Sequence, residues 1–101
     1  MVNKIYTVKW LEKSLKEFDG ILEYVKTHQG EETARRLAVT LSDSVDSIVK
    51  NPSTGRPGRI SGTRELVISG TKYLIPFRVK GDCVHILRIF HTSRKPPVVR
   101  W

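Results

Sequence analysis

The sequence lacks the features that mark secreted, membrane-bound and metal-stabilised proteins. Cysteine occurs once in 101 residues, at Cys83, which excludes an internal disulfide and a cysteine-based zinc site within the chain. No apolar run approaches the roughly 20 residues that span a bilayer, and the first ten residues lack the apolar segment of a signal peptide. Phosphate loops, nucleophile elbows and metal-ligand clusters are also missing. The sequence therefore predicts a soluble, cytoplasmic domain without a metal ion or cofactor.

Acidic residues are scarce in the second half of the chain. Residues 1–49 carry seven Lys or Arg against eight Asp or Glu, whereas residues 50–101 carry eleven against two. The net charge of +8 is therefore concentrated in one half. A field of this kind attracts polyanions or an acidic protein and speeds encounter with them. A surface that only keeps the protein soluble is the alternative, but solubility gives no reason to segregate the charge.

Hydrophobic periodicity divides the chain into six predicted elements. Alternation of apolar residues over 4–10 predicts a first strand. Apolar residues at spacings of three and four then predict two helices, one ending at Gly30 and one running from Glu31 to a stop at Asn51 and Pro52. After a Gly- and Pro-rich loop at 51–63, three apolar runs separated by turn signals predict an antiparallel meander with strands at 64–68, 73–80 and 83–91.

The apolar stripes of the two helices are expected to form the core. The stripe of the first helix is Leu11, Leu15, Phe18, Leu22 and Val25, and that of the second is Ala34, Leu37, Ala38, Leu41, Val45 and Ile48. The order βααβββ predicts one α+β domain over residues 1–101, with a helical hairpin packed on one face of a small, mostly antiparallel, four-stranded sheet. The other face is then open.

Arginines inside the strands are the candidates for that open face, because a charged side chain in an apolar strand must reach solvent or a partner. They are Arg64, Arg78 and Arg88. Pro76 lacks the N–H that a central strand needs, which predicts a sheet edge or a bulge at that position.

The last predicted strand ends at His91, which lies beside these arginines and Arg94 in the sequence. A histidine in a basic field can act as general acid or base while a 2′-hydroxyl attacks its own phosphodiester, with arginines stabilising the charge on phosphorus. A strand-end histidine bonded to the backbone is an equal alternative. In a regular strand Arg88 and His91 point to opposite faces, so they share a site only if the strand ends or bulges between them.

Two other residues have open roles. Glu65 is either a second acid–base group or the ion-pair partner of an arginine, and the ion pair is the commoner arrangement. Tyr73 either stacks on a base or belongs to the core.

The βααβββ order, the GRPGR loop and the run GTRELVISGTKYLIPFRVKGDCVHILRIFHTSRKPP resemble the RelE/ParE superfamily of toxins from bacterial type II toxin–antitoxin modules. The resemblance covers nearly the whole chain and is strongest over residues 55–95, where R-I-F-H matches the ending R-[VI]-[LF]-H. It implies a fold like that of microbial ribonucleases, and a cognate acidic antitoxin that neutralises the toxin by covering its basic face.

The branches of this superfamily differ in function. RelE-like members cut mRNA in the ribosomal A site, and their third strand often reads Y-R-L-V-Y, with the arginine on the scissile phosphate. Here Leu74 stands at that arginine position. ParE-like members instead poison DNA gyrase, and YLIPFRV with RIFH is closer to their pattern, although the usual H-x-x-[MR]-D ending has Lys95 in place of Asp.

The main hypothesis from the sequence is a toxin that arrests growth by ribosome-dependent, metal-independent mRNA cleavage, that is, a predicted endoribonuclease (mRNA interferase). Its partners are then the antitoxin, the ribosome and mRNA. The alternative is a ParE-like toxin that inhibits gyrase without nuclease activity, and a plain nucleic-acid-binding module is a third possibility. The predicted catalytic residues are His91, Arg64, Arg78, Arg88 and Arg94, and the predicted RNA-binding residues are Arg56, Arg59, Lys95 and Tyr73.

Overall fold

A computed structural model describes residues 4–92, and the elements follow the predicted order. They are β1 (Thr7–Trp10), α1 (Glu12–Gln29), α2 (Glu31–Lys50), β2 (Arg56–Pro57), β3 (Arg64–Val67), β4 (Tyr73–Lys80), β5 (Cys83–Ile86) and β6 (Phe90–His91). One sheet runs in the order β1-β5-β4-β3-β2, and β6 also pairs with β4. The predicted α+β architecture, two helices on a small sheet, is confirmed.

The two helices meet at Gly30. This residue has a φ of 96°, and its N–H donates to the carbonyl of Lys26. A positive φ is far less strained for glycine than for other residues, so Gly30 ends α1 and the chain can turn directly into α2. The result is the helical hairpin that the sequence predicted.

The stripe of α2 is correct and that of α1 is partly wrong. Leu41, Val45 and Ile48 are fully or almost fully buried, as expected. On α1, however, Leu15 is 48% exposed, whereas Ser14 is fully buried. Ser14 tolerates burial because its hydroxyl donates to the carbonyl of Leu11 at 2.6 Å. The helix is therefore rotated relative to the predicted stripe.

The sheet is mixed, with more strand segments than the four predicted. β3, β4 and β5 form the expected antiparallel meander, and β1 adds parallel to β5. A two-residue strand, β2, lies inside the stretch predicted to be loop and pairs with β3. The last predicted strand is split into β5 and β6 by residues 87–89.

The two faces of the sheet differ. The helix-covered face carries the core side chains of the central strands, which pack against Leu41, Val45 and Ile48 of α2; they are Ile75 and Phe77 of β4 and Val84 and Ile86 of β5. The side chains that alternate with these point to the opposite face. That face is only half open, because Leu74 and Glu65 on it are 2% and 1% exposed while Arg78 and Lys80 are exposed.

A β-bulge separates β5 from β6. Phe77 pairs with Ile86, but Leu74 pairs with Phe90, so residues 87–89 hold one residue more than the facing part of β4. Pro76 lies opposite this place and accepts a hydrogen bond from the Leu87 N–H at 3.0 Å, but it has no N–H to return. The predicted irregularity at Pro76 is thus a bulge in the facing strand, and β4 is central rather than an edge.

The helices within residues 4–92 include none that is long and apolar enough to cross a membrane.

Candidate functional site

The bulge places His91 over a cavity between α1 and the end of the sheet. His91 pairs with Tyr73 across β6 and β4, and their rings meet edge to face with centroids 5.5 Å apart. The cavity has a volume of about 330 Å³, and its other lining residues are Glu17, Gly20, Ile21, Tyr24 and Ile89. His91 therefore lies on the helix-covered face, beside apolar and aromatic side chains.

Arg88 is held by a carboxylate that the sequence did not single out. Its Nε and Nη2 both donate to Glu17 of α1 at 2.9 Å, and the Ile89 N–H donates to the same carboxylate at 3.0 Å. Arg88 and Glu17 are 16% and 25% exposed in their side chains. Glu17 thus replaces the partners that the bulge removes from the ladder, and it engages the guanidinium that was expected to face solvent. Glu17 looks like any other charged residue on α1 in the sequence, which offers no signal for this contact.

The expectation that Arg64 lies on the open face is wrong. Arg64 pairs with Phe77, whose side chain belongs to the core, so Arg64 points to the helix-covered side. Its guanidinium donates to three consecutive loop carbonyls, those of Ser53, Thr54 and Gly55, at 2.9–3.0 Å. Arg64 therefore fixes the loop that follows α2, and its Nε and Nη2 donors are occupied by the chain itself.

Glu65 pairs with arginines, in agreement with the commoner of its two predicted roles. It is 1% exposed, and its carboxylate lies 3.3 Å from Arg56 Nη2 and 3.7 Å from Arg59 Nε. The Arg59 N–H also donates to it at 3.1 Å. A buried carboxylate needs such donors. Glu65 therefore holds the stretch 51–63, the basic loop, against the sheet, while both guanidinium groups stay partly exposed.

A second set of cations lies on the open half of the opposite face. Arg78 Nε donates to His85 Nδ1 at 3.3 Å, and Lys9 lies beside His85 on the other side. Partial burial, followed by the charges of Arg78, Lys9 and Lys80, lowers the pKa of His85. Because Nδ1 accepts the hydrogen bond from Arg78, Nε2 is the ring nitrogen of His85 that is left to donate.

Among the described residues predicted to be catalytic, only Arg88 lies near His91, because its partner Glu17 lines the same cavity; Arg64 and Arg78 do not join them. Arg78 lies on the opposite face from His91, and Arg64 lies at the Phe77 end of β4 whereas His91 lies at the Tyr73 end, roughly 13 Å away along the strand. Leu74, which occupies the place of the ribonuclease arginine, is buried. Arg94 and Lys95 lie outside the described residues.

Comparison with known proteins gives one consistent result. The family model described as "ParE toxin of type II toxin-antitoxin system, parDE" matches residues 8–96. "Putative toxin Y4kP" of Sinorhizobium fredii (strain NBRC 101917 / NGR234) is 36% identical over 92 residues, which are 91% of this chain and 94% of that protein. A solved structure, "Chromosomal ParDE TA system from P. aeruginosa", is 30% identical in sequence and superposes with a TM-score of 0.81. The matched region is 88% of this chain and 98% of the chain in that structure.

Proposed function

Since the chain belongs to the ParE toxin family of type II toxin–antitoxin modules, we propose that residues 1–101 act as one domain that inhibits DNA gyrase without cutting RNA. ParE-type toxins are usually gyrase inhibitors, so the family favours the alternative from the sequence over the predicted mRNA interferase. A toxin of such a module has a cognate antitoxin as partner.

The observation that carries the proposal is the placement of the arginines. Metal-independent RNA cleavage requires an acid–base group and phosphate-binding cations around one phosphodiester. Among the described candidates, Arg64 donates to loop carbonyls, Arg88 binds Glu17, and Arg78 lies on the other face from His91. This arrangement supports a binding protein better than a nuclease.

A second part of the proposal concerns how the toxin is neutralised. We expect an acidic antitoxin segment that folds as it covers the basic surface of the toxin. The guanidinium groups of Arg56 and Arg59 remain partly exposed after pairing with Glu65, so they are available to carboxylates of such a segment.

The test compares two assays on the same purified toxin. We expect inhibition of gyrase-catalysed supercoiling that is relieved by the antitoxin, and no new cut in a toeprint of translated mRNA. His91→Gln serves as the variant that separates the mechanisms, because a nuclease that relies on His91 as acid or base would lose its cut. An A-site cut made by the wild type and absent with His91→Gln would reject the proposal and restore the ribonuclease hypothesis.

A further inference from the structure

Four polar side chains form one surface on the open half of the opposite face. In the strand register Lys9 of β1 lies next to His85 of β5, and His85 lies next to Arg78 of β4. Lys80 follows Arg78 by two residues and so projects from the same face. Neighbouring strands are about 4.8 Å apart and alternate residues about 7 Å apart, so the four residues lie within roughly 12 Å of one another. We call Lys9, Arg78, Lys80 and His85 the cationic patch.

The cations of the patch have no ion-pair partner within the described part of the chain. No carboxylate of residues 4–92 forms an ion pair with Lys9, Arg78 or Lys80, and the nearby Asp82 pairs with Lys4 at 3.1 Å. Three like charges so close together repel one another and disfavour folding. A binding partner that supplies negative charge relieves that repulsion.

The composition of the surface indicates which anion fits. Among the paired strand residues its remaining exposed neighbour is Thr7, opposite the half-buried Cys83, so the paired part of this face presents polar groups; the exposed Ile5 lies outside the strand, two residues before Thr7. Protein segments that dock on a surface rely on buried apolar or aromatic anchors, which this surface does not offer. Nucleic acid backbones need only cations and N–H donors, and duplex DNA places a charge about every 3.4 Å along each strand.

We propose that the cationic patch binds the phosphodiester backbone of duplex DNA without reading its sequence. Arg78 is exposed and uses its Nε donor on His85, Lys9 and Lys80 supply charge on either side, and His85 offers Nε2 as a donor. The biological setting rests on the proposed function, because gyrase acts on duplex DNA and a toxin that holds that DNA remains at its target.

The direct test is fluorescence anisotropy of the purified toxin with a labelled, random-sequence DNA duplex at several salt concentrations. Each phosphate contact contributes about 0.9 to the slope of log K against log salt. Three contacts therefore weaken binding roughly 40-fold between 50 and 200 mM salt. Lys9→Gln, Arg78→Gln and Lys80→Gln should each lower the slope by about 0.9.

Lys13→Gln is the matched control, since Lys13 is exposed on α1 and its loss changes the net charge equally. The slope should not change in this variant. An equal loss of slope in Lys13→Gln would reduce the effect to net charge and overturn the proposal. So would the absence of salt-dependent binding by the wild type, tighter binding to duplex RNA, or competition by polyglutamate as effective as that by unlabelled DNA.

His85 gives an independent measure, because no other described histidine is in the patch. Lys9 and Arg78 flank His85 in the register, Lys80 lies diagonal to it, and Thr7 and Cys83 are its other neighbours on this face. A bound phosphate stabilises the imidazolium, so binding should take up a proton and be tighter at pH 5.5 than at pH 7.5. In His85→Gln that difference should disappear, and its persistence would assign the proton to another group.

The outcome is separable from that of the proposed function, because the binding assay contains no gyrase. DNA binding through the patch without gyrase inhibition would support the inference and reject the proposed function. Gyrase inhibition by a toxin that does not bind DNA would reject the inference and leave the proposed function standing.

Discussion

The ion pair between Glu17 and Arg88 should be a major contributor to the stability of this toxin. Exposed ion pairs contribute about 0–1 kcal/mol, whereas breaking a buried one costs about 3–5 kcal/mol. This pair, with side chains 16% and 25% exposed, lies between those limits. Its carboxylate also accepts the Ile89 N–H in the bulge, and the carbonyl of the facing Pro76 already accepts from the Leu87 N–H. We therefore expect Glu17→Gln to lower the free energy of unfolding by about 2 kcal/mol.

Urea denaturation measures this change directly. With a denaturant dependence of about 1 kcal/mol per molar urea, a loss of about 2 kcal/mol moves the midpoint by about 2 M. The control is Glu23→Gln, an exposed carboxylate on the same helix, which should stay within about 0.5 kcal/mol of the wild type.

A double-mutant cycle separates the pair from the rest of the environment. Once Arg88→Met has removed the guanidinium, Glu17→Gln has no ion pair left to lose and keeps an oxygen that can accept the Ile89 N–H, so the double variant should be at least about 1 kcal/mol more stable than additive losses predict. A midpoint shift below 0.5 M for Glu17→Gln, or additive losses in the cycle, would refute the idea that this carboxylate holds the bulge.

Three further results are expected. Gly58→Ala should destabilise the toxin by about 1–3 kcal/mol, because a Cβ there would lie 3.0 Å from the Thr63 carbonyl carbon. Gly20→Ala has open space around it and should stabilise α1 by about 0.5–1 kcal/mol. Thermal melts of both variants test these changes. Glu65→Gln should loosen the basic loop, seen as faster tryptic cleavage at its arginines, and unchanged cleavage would contradict that role. Because the pKa of His85 is lowered in the folded state, the unfolded chain binds that proton more readily than the folded chain. The free energy of unfolding should therefore decrease as the pH is lowered below about 6.5, and it should decrease less in His85→Gln.

The sequence was sufficient for the elements whose local signals agree. Strand β4 has the predicted bounds, because a glycine-containing turn lies at each of its ends. Gly70 and Gly81 adopt a positive φ in these turns. Gly30 likewise separates the helices where predicted. In these places each boundary depends on residues next to it in the chain.

The site depended on information that no local pattern contains. The face on which Arg64 projects is set by its register with Phe77, and the contact between Arg88 and Glu17 joins residues far apart in sequence. The sequence predicted that Arg88 and His91 could share a site only if the strand ended or bulged between them, and the bulge is present. The position of the bulge follows from the missing N–H of Pro76 on the facing strand. Side-chain direction in a sheet reverses with a shift of one residue.

The parallel pairing of β1 with β5 has a consequence for synthesis of the toxin. The partners of Thr7–Trp10 are Cys83–Ile86, near the other end of the chain, whereas α1 and α2 contact each other locally. The helical hairpin can therefore form while translation continues, but the first strand stays unpaired until the last part of the sheet has left the ribosome. The sheet of this toxin therefore cannot be completed before residues 83–86 have been made, however early the helices fold.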